Sequence, residues 1–260
     1  MTLDVLFVAK NRLAFTRESF SALVANTNWS LVNTLWVYDD GSTDGTREWF
    51  VANLHNLVSI KCIFIDSACG APAAIMNDYL KRGYTELFAK IDNDVIVPPG
   101  WLNACLHTMI ENPELDLLGI EPPESRTPHL MGGARSKCPE LCLMLTPEEA
   151  ACGYAKCDFI GGIGLMRRSA FINPTNSTLR PHSIYGGFTE WQLINVNVVK
   201  GWAMPPLKVF LLDRLPAEPW ASLSRHYIAN GWQRAWSGYP VTNPFWTWWS
   251  PRFRTFDDIE

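Results

Sequence analysis

"LFAKIDNDVIVPPGWL", residues 87–102, decides the fold. Leu87–Ile91 is a short run, apolar except for Lys90, that breaks into Asp92, Asn93 and Asp94 ahead of Pro98 and Pro99. A short apolar run that ends in a polar triplet and is bounded by prolines predicts a buried strand delivering its carboxyl end to a turn. The segment 98–114, "PPGWLNACLHTMIENPE", predicts a helix begun by Pro99 and stopped before Pro113.

The same alternation repeats upstream. "DVLFVA" (4–9) predicts a buried strand, and "TRESFSALVANT" (16–27) a helix with Thr16 as N-cap and Phe20, Leu23 and Val24 at helical spacing. "TLWVYDDGSTDGTREWF" (34–50) predicts a strand through Trp36 and Val37, a Gly/Ser/Asp turn, and a helix opening near Asp44 that buries Phe50 and Leu54. "VSIKCIFI" (58–65) supplies a third strand. Strands alternating with helices predict an α/β fold with a mostly parallel central sheet flanked by helices, in the Rossmann manner. Ligands of such sheets sit outside the carboxyl ends of the strands, and Asn11, Asp39, Asp40, Asp92 and Asp94 all fall at such ends.

Composition narrows the partners. The chain has 260 residues, 47% hydrophobic and 18% charged, values that suit one well-buried domain. With 22 basic and 26 acidic residues the net charge is -4, and no Lys/Arg run tracks a phosphate backbone, so a dedicated duplex-DNA binder is disfavoured. "MTLDVLFVAKNR" is too short for a signal or a membrane span, and no stretch approaches 18 apolar residues, which predicts a cytoplasmic protein without a transmembrane segment. Reduced cysteines follow for that compartment. Cys138, Cys142, Cys152 and Cys157 fall in one region; free thiols are the default and a structural zinc site the alternative.

Carboxylates crowded at one sheet edge repel each other unless a cation joins them. Ligation by carboxylates alone suits a hard ion, Mg2+ or Mn2+, which usually shares its shell with substrate phosphates. The competing reading of Asp92-Asn93-Asp94 is a solvated turn.

"VYDDGSTDGT" (37–46) together with "AKIDNDVIVPPGWL" (89–102) resembles family 2 glycosyltransferases of the GT-A fold, whose members carry a "VDDGSxD" turn and a later D-x-D strand end. "KNR" (10–12), "GAPAAIMN" (70–77) and "DFIGGIGLMRRSAF" (158–171) resemble three further motifs of that family in the same order, so the resemblance runs over about residues 3–212. It implies a GT-A catalytic domain over 1–215, with a nucleotide-sugar-binding half over about 1–120 and an acceptor-side half over about 121–215, and leaves 216–260 as a Trp-rich extension.

The resemblance also implies roles. Asp39 or Asp40 accepts hydrogen bonds from the nucleotide base, with Ala9, Asn11 and Arg12 lining the pocket and Asn77, Lys90, Asp92 and Asn93 contributing to the nucleotide sugar. Asp94 is the expected direct metal ligand on the diphosphate, with Asp92 beside it; outside the resemblance, on the C-terminal side, Asp213 or His226 is a candidate further ligand. "YGGFTEWQLINVNVVKGW" (185–202) matches the family's acidic helix start, which makes Glu190 the expected catalytic base, with Gly161, Gly162 and Trp191 on the acceptor side. The family usually has Asp where Trp191 stands. Thr189 and Gln192 predict a capping box, with Leu193, Val196 and Val199 on one helix face and Gly201 as the C-cap.

Six of the 12 tryptophans lie in the tail: Trp220, Trp232, Trp236, Trp246, Trp248 and Trp249. Packing or a homo-oligomer interface is the commoner use of such rings, an acceptor platform the rarer one. The expected activity is metal-dependent, inverting transfer of a sugar from a nucleoside diphosphate sugar, most simply a UDP-sugar, to a hydroxyl acceptor on a glycan, a lipid or a small molecule. The alternatives are transfer to a hydroxylated nucleobase in phage DNA, a nucleotide-sugar-binding module without catalysis, and a sugar-phosphate nucleotidyltransferase; "VAKNRLAF" (8–15) lacks the glycines expected of that last class.

Overall fold

The structure is a computed structural model that describes residues 2–54, 59–65, 72–120, 151–157, 160, 162–173, 175, 179, 188–203 and 210–211. The chain divides into two compact units, Met1–Val209 and Phe210–Glu260. Of the second, only the two-residue strand Phe210–Leu211 is described; Asp213, His226 and the six tail tryptophans lie outside the described residues.

The first unit is built on an eight-stranded sheet. In chain order its strands are β1 (Leu3–Ala9), β2 (Val32–Asp39), β3 (Ile60–Phe64), β4 (Leu87–Asp92), β6 (Leu117–Gly119), β7 (Tyr154–Lys156), β8 (Gly164–Arg167) and β9 (Lys200–Ala203), with the short β5 (Val95–Ile96) between β4 and the next helix. Across the sheet the order is β3-β2-β1-β4-β8-β6-β9-β7. The β3-β2-β1-β4 half is parallel throughout, and β8 then runs antiparallel to both β4 and β6. β6 and β9 are parallel, and β7 closes the edge antiparallel to β9. This is the α/β architecture expected, with antiparallel pairing confined to the second half.

Helices α1 (Leu13–Asn26), α2 (Thr46–Asn53), α3 (Pro72–Arg82), α4 (Trp101–Glu111), α5 (Ser169–Ile172) and α6 (Phe188–Ile194) complete the unit. Every residue of β1 is buried, as a strand covered on both faces requires. On one face Phe7 of β1 meets Phe20 of α1 and Phe50 of α2 edge to face, at 5.2 and 6.1 Å. On the other, Leu6, Val8, Trp36, Tyr38 and Phe88 join Ile75, Met76 and Tyr79 of α3 in one apolar cluster. Among the described residues, no helix is long and apolar enough to cross a membrane.

Three local expectations are corrected. Thr16 does not cap α1; the helix starts at Leu13 and Thr16 lies buried within it. The start is secured from another loop, where Asp44 accepts from the Leu13 N–H at 2.9 Å with Oδ2 and from the Thr46 N–H at 3.1 Å with Oδ1, so one carboxylate serves the first turns of α1 and α2.

The capping box at α6 is replaced by a different use of its glutamine. Gln192 accepts from the Ile160 N–H at 2.9 Å and donates to the Ile160 carbonyl at 3.1 Å, the pairing a strand neighbour would make. Nor does α6 run to Gly201. Asn195, bonded back to the Trp191 carbonyl at 2.8 Å, turns the chain, Val196 is left 85% exposed, and Gly201 sits inside β9. The β-branched residues of the segment 196–199 favour extension over helix, and parallel pairing with β6 takes them up immediately afterwards.

Candidate active site

The site lies where the strand order changes direction. From β1 the chain adds β2 and β3 on one side, then β4 on the other, which makes the carboxyl ends of β1 and β4 the switch point at which ligands of open α/β sheets bind. Register brings the polar strand ends level: Ala9 pairs with Asp39 and Val8 with Asp92.

Two loops leave these ends and are tied together. Asn11 and Arg12 both have left-handed backbones (φ 52° and 58°), unusual for residues with a side chain. The conformation is pinned from three directions. Asn93 donates to the Asn11 carbonyl at 2.8 Å, Ser42 Oγ accepts from the Asn11 N–H at 2.7 Å, and Asn11 Oδ1 accepts from the Thr43 N–H at 2.8 Å. Residues over-determined in rare backbone regions concentrate at functional sites.

Asp39 and Asp40 diverge in surroundings. Asp39 is fully buried; its Oδ2 accepts from Arg47 Nε at 3.1 Å and from the Ser42 N–H at 3.2 Å, while Oδ1 is buried without a hydrogen-bond partner. Asp40 pairs with the half-exposed Lys10 at 3.3 Å. Arg47, which the sequence did not single out, is itself fixed by donation to the Ile65 carbonyl at 2.5 Å and by packing over the Phe64 ring. Its signal lay in the motif turn, eight positions after the acid it holds.

Asp92 and Asp94 each meet a buried cation. Asp92 Oδ1 pairs with the ammonium of Lys90, two residues earlier on the same face of β4, and Lys90 also donates to the Gly162 carbonyl at 2.9 Å. Asp94 Oδ2 accepts from Arg12 Nη1 at 2.8 Å, with Arg12 only 5% exposed. Asp92 keeps an edge open to solvent, yet the walls around it push its carboxyl pKa up, and the charge of Asp94 adds to the rise against the pull of Lys90 and Arg12. Because β8 runs antiparallel to β4, the segment entering it arrives at this place: a Cβ on Gly162 would lie 3.3 Å from Asp92 Oδ2 and 3.6 Å from Lys90 Nζ.

The hydroxyl of Ser19 on α1 supports the turn from beneath, 2.6 Å from the Val95 carbonyl and 3.1 Å from that of Asp92. Thr16 takes a second bond from Asn93, at 2.8 Å. Neither polar contact was visible in the sequence, where Thr16 read as a helix cap and Ser19 was not singled out.

The structure thus gathers Ala9, Asn11, Arg12, Asp39, Asp40, Lys90, Asp92, Asn93, Asp94 and Gly162 at neighbouring strand ends. Asn77, on α3, is engaged by the Leu179 carbonyl at 3.0 Å. Trp191 departs from the acceptor-side expectation: it is buried, stacked on Phe171 at 4.4 Å, and fills the core. Glu190 falls in the first turn of α6, but its side chain, like Gly161, lies outside the described residues. So do Cys138 and Cys142, while Cys152 is a free, partly exposed thiol.

Among the described residues, no group of three or more His, Cys, Asp or Glu comes together as a metal cage. Two hard carboxylates beside a space left open by Gly162 do fit an Mg2+ or Mn2+ ion whose remaining ligands are phosphate oxygens and water.

Solved structures of the same fold are glycosyltransferases. S. aureus TarS (residues 1–349) superposes with a TM-score of 0.57 at 16% identity over 82% of this chain and 61% of that one. The same protein in complex with UDP gives 0.55, at 15% identity over 78% and 57% of the two chains. The mannosyltransferase PcManGT from Pyrobaculum calidifontis, in complex with GDP-Man and Mn2+, gives 0.53, at 13% identity over 76% and 53%. The chain therefore spans little more than half the length of these relatives. No curated protein matches the sequence significantly. The model of glycosyl transferase family 2 matches residues 4–173, which contain both the DDG turn and the Asp92-Asn93-Asp94 strand end. With most of its length so matched, the chain belongs to glycosyl transferase family 2, and its fold is the GT-A fold of these structures.

Proposed function

We propose that this protein is a glycosyltransferase that takes its sugar from a nucleoside diphosphate donor bound across the ends of β1, β2 and β4, and passes it to a hydroxyl acceptor with inversion. The observation that carries the reading is the buried, unpartnered Oδ1 of Asp39 in line with the Asp92 and Asp94 strand end. A carboxylate oxygen only accepts hydrogen bonds, so its natural partner is a base edge with an N–H, such as N3–H of uracil or N1–H of guanine. UDP and GDP-Man in the TarS and PcManGT structures are nucleotides of that kind, and a UDP-sugar is the favoured donor here.

The residues divide the work. Asp39, fixed by Arg47, reads the base; Arg12 and Lys90 lie where diphosphate charge would arrive; and Asp92 and Asp94 would hold the Mg2+ or Mn2+ ion. When bound, that ion supplies Lewis-acid stabilisation of the negative charge growing on the leaving diphosphate. Glu190 acts as the base: its carboxylate takes the proton of the acceptor hydroxyl, whose oxygen bonds to the anomeric carbon while the bond from that carbon to the diphosphate breaks. One displacement inverts the anomeric centre and needs no covalent enzyme intermediate.

Incubating the protein with UDP- and GDP-sugars and a panel of hydroxyl acceptors, and following release of the nucleoside diphosphate, tests this. Release with Mn2+, its loss in EDTA, and a fall of at least about 100-fold in Glu190→Gln are expected, since a positioned base is worth roughly 10²–10⁴ in rate. Undiminished turnover in Glu190→Gln would move the base elsewhere.

A further inference from the structure

The two ion pairs at the strand ends are not equivalent. Lys90 is 2% exposed and bound twice, to Asp92 and to the Gly162 carbonyl, so its ammonium is locked into the wall between β4 and β8. Arg12 is equally buried but sits at the end of a loop. Its guanidinium lies over the Phe15 ring at 5.4 Å and reaches Asp94, which is 19% exposed. Its backbone position is set by the left-handed Asn11–Arg12 turn, which Asn93, Ser42 and Thr43 fix.

Charge then decides what the site will accept. The two carboxylates carry -2 and the two cations +2, so these four side chains already sum to zero. A divalent ion placed on Asp94 meets a guanidinium already on that carboxylate, with little water between to screen the repulsion. A diphosphate changes the balance, because two of its oxygens can meet the planar guanidinium bidentately, where Asp94 offers a single carboxylate oxygen.

We propose that Arg12 is a positioning residue that occupies Asp94 until a diphosphate draws the guanidinium over, so that metal and nucleotide enter this site as one coupled unit. The inference rests on the nucleotide-donor reading above and adds to it the residue that couples the two ligands. Coupling of this kind is reciprocal: whatever factor nucleotide adds to metal affinity, metal adds to nucleotide affinity.

The test uses the full chain and Mn2+ alone, with free Mn2+ followed by its electron paramagnetic resonance signal. Arg12→Gln removes the competing charge and is expected to bind Mn2+ about fivefold or more tightly than the unmodified protein, the lower end of usual coupling factors. Arg12→Lys keeps the charge and is expected to bind Mn2+ as weakly as the unmodified protein. A purely structural Arg12 would predict a lower melting temperature in both variants without this split. Equal Mn2+ affinity in Arg12→Gln and the unmodified protein, or tight binding in Arg12→Lys, would overturn the proposal.

If Arg12→Gln does not fold, Arg12→Met, which removes the charge and keeps the apolar body of the side chain, takes its place with the same expected gain of about fivefold in Mn2+ affinity; a change under about twofold overturns the proposal. Failure of the donor reading looks different: UDP and GDP would bind under no condition, with Mn2+ or with EDTA.

Discussion

Asp39 gives one carboxylate oxygen to Arg47 and keeps the other buried without a partner. An unsatisfied acceptor at that depth costs free energy in the empty protein, roughly 1–3 kcal/mol, which a base N–H would recover on binding. Asp39→Asn leaves the shape but weakens both contacts. Its affinity for UDP by calorimetry should fall at least about tenfold, equivalent to about 1.4 kcal/mol. Unchanged affinity would place the base elsewhere.

Gly162 is a steric prediction. A Cβ there comes within 3.3 Å of Asp92 Oδ2 and 3.6 Å of Lys90 Nζ, so Gly162→Ala presses on the Lys90–Asp92 pair rather than on backbone. The melting temperature should stay within a few degrees of the parent, while donor turnover drops at least about tenfold. A large loss of stability with intact specific activity would contradict this assignment.

At the opposite end of β1, a buried carboxylate does structural work only. Asp4 accepts from Trp36 Nε1 at 3.0 Å, Tyr79 OH at 3.1 Å and Asn33 Nδ2 at 2.9 Å. Asp4→Ala strands those donors and should cost about 3 kcal/mol or more in urea unfolding, whereas Tyr79→Phe, which removes a donor and leaves the acid served by two others, should cost about 1 kcal/mol.

Thiol chemistry separates two cysteines. Cys105 is buried in α4 and its thiol is pushed up to about 12 by desolvation, so almost no thiolate forms at pH 8 and no reagent reaches it. Cys62 is exposed on β3, with a thiol raised more modestly by its surroundings. Iodoacetamide at pH 8 followed by peptide mass mapping should label Cys62 in the folded protein and Cys105 only after unfolding.

Strands β1, β2 and β4 of the parallel half were legible because they are short, mostly buried apolar runs, each ending in a polar turn. The carboxylates of the site were legible for the same reason, since a strand end is fixed by where the apolar run stops. What could not be read were contacts made at long range by common polar residues. Asp44 serving two helices, Ser19 bonding the carbonyls under the Asp92 turn, and Gln192 bracing Ile160 all join segments far apart in sequence. The end of α6 was misjudged because Leu193, Val196 and Val199 fit a helical period, while the turn at Asn195 and the pairing of β9 with β6 prevail over it. Trp191 was placed on the acceptor side by its neighbours in the motif, although it departs from the Asp usual at that position; stacking on Phe171 and Phe188 explains why a large apolar ring occupies it.

The central claim is that one crevice binds a nucleoside diphosphate through Asp39 and, with a divalent ion, through Asp94. Calorimetric titration of the full chain with UDP, GDP and CDP, each with Mn2+ and with EDTA, and repeated on Asp94→Ala, tests it most directly. Binding of UDP or GDP in preference to CDP, strengthened by Mn2+ in the parent and no longer strengthened in Asp94→Ala, is the predicted result. Binding indifferent to base and metal, or the same metal effect in Asp94→Ala, would contradict it.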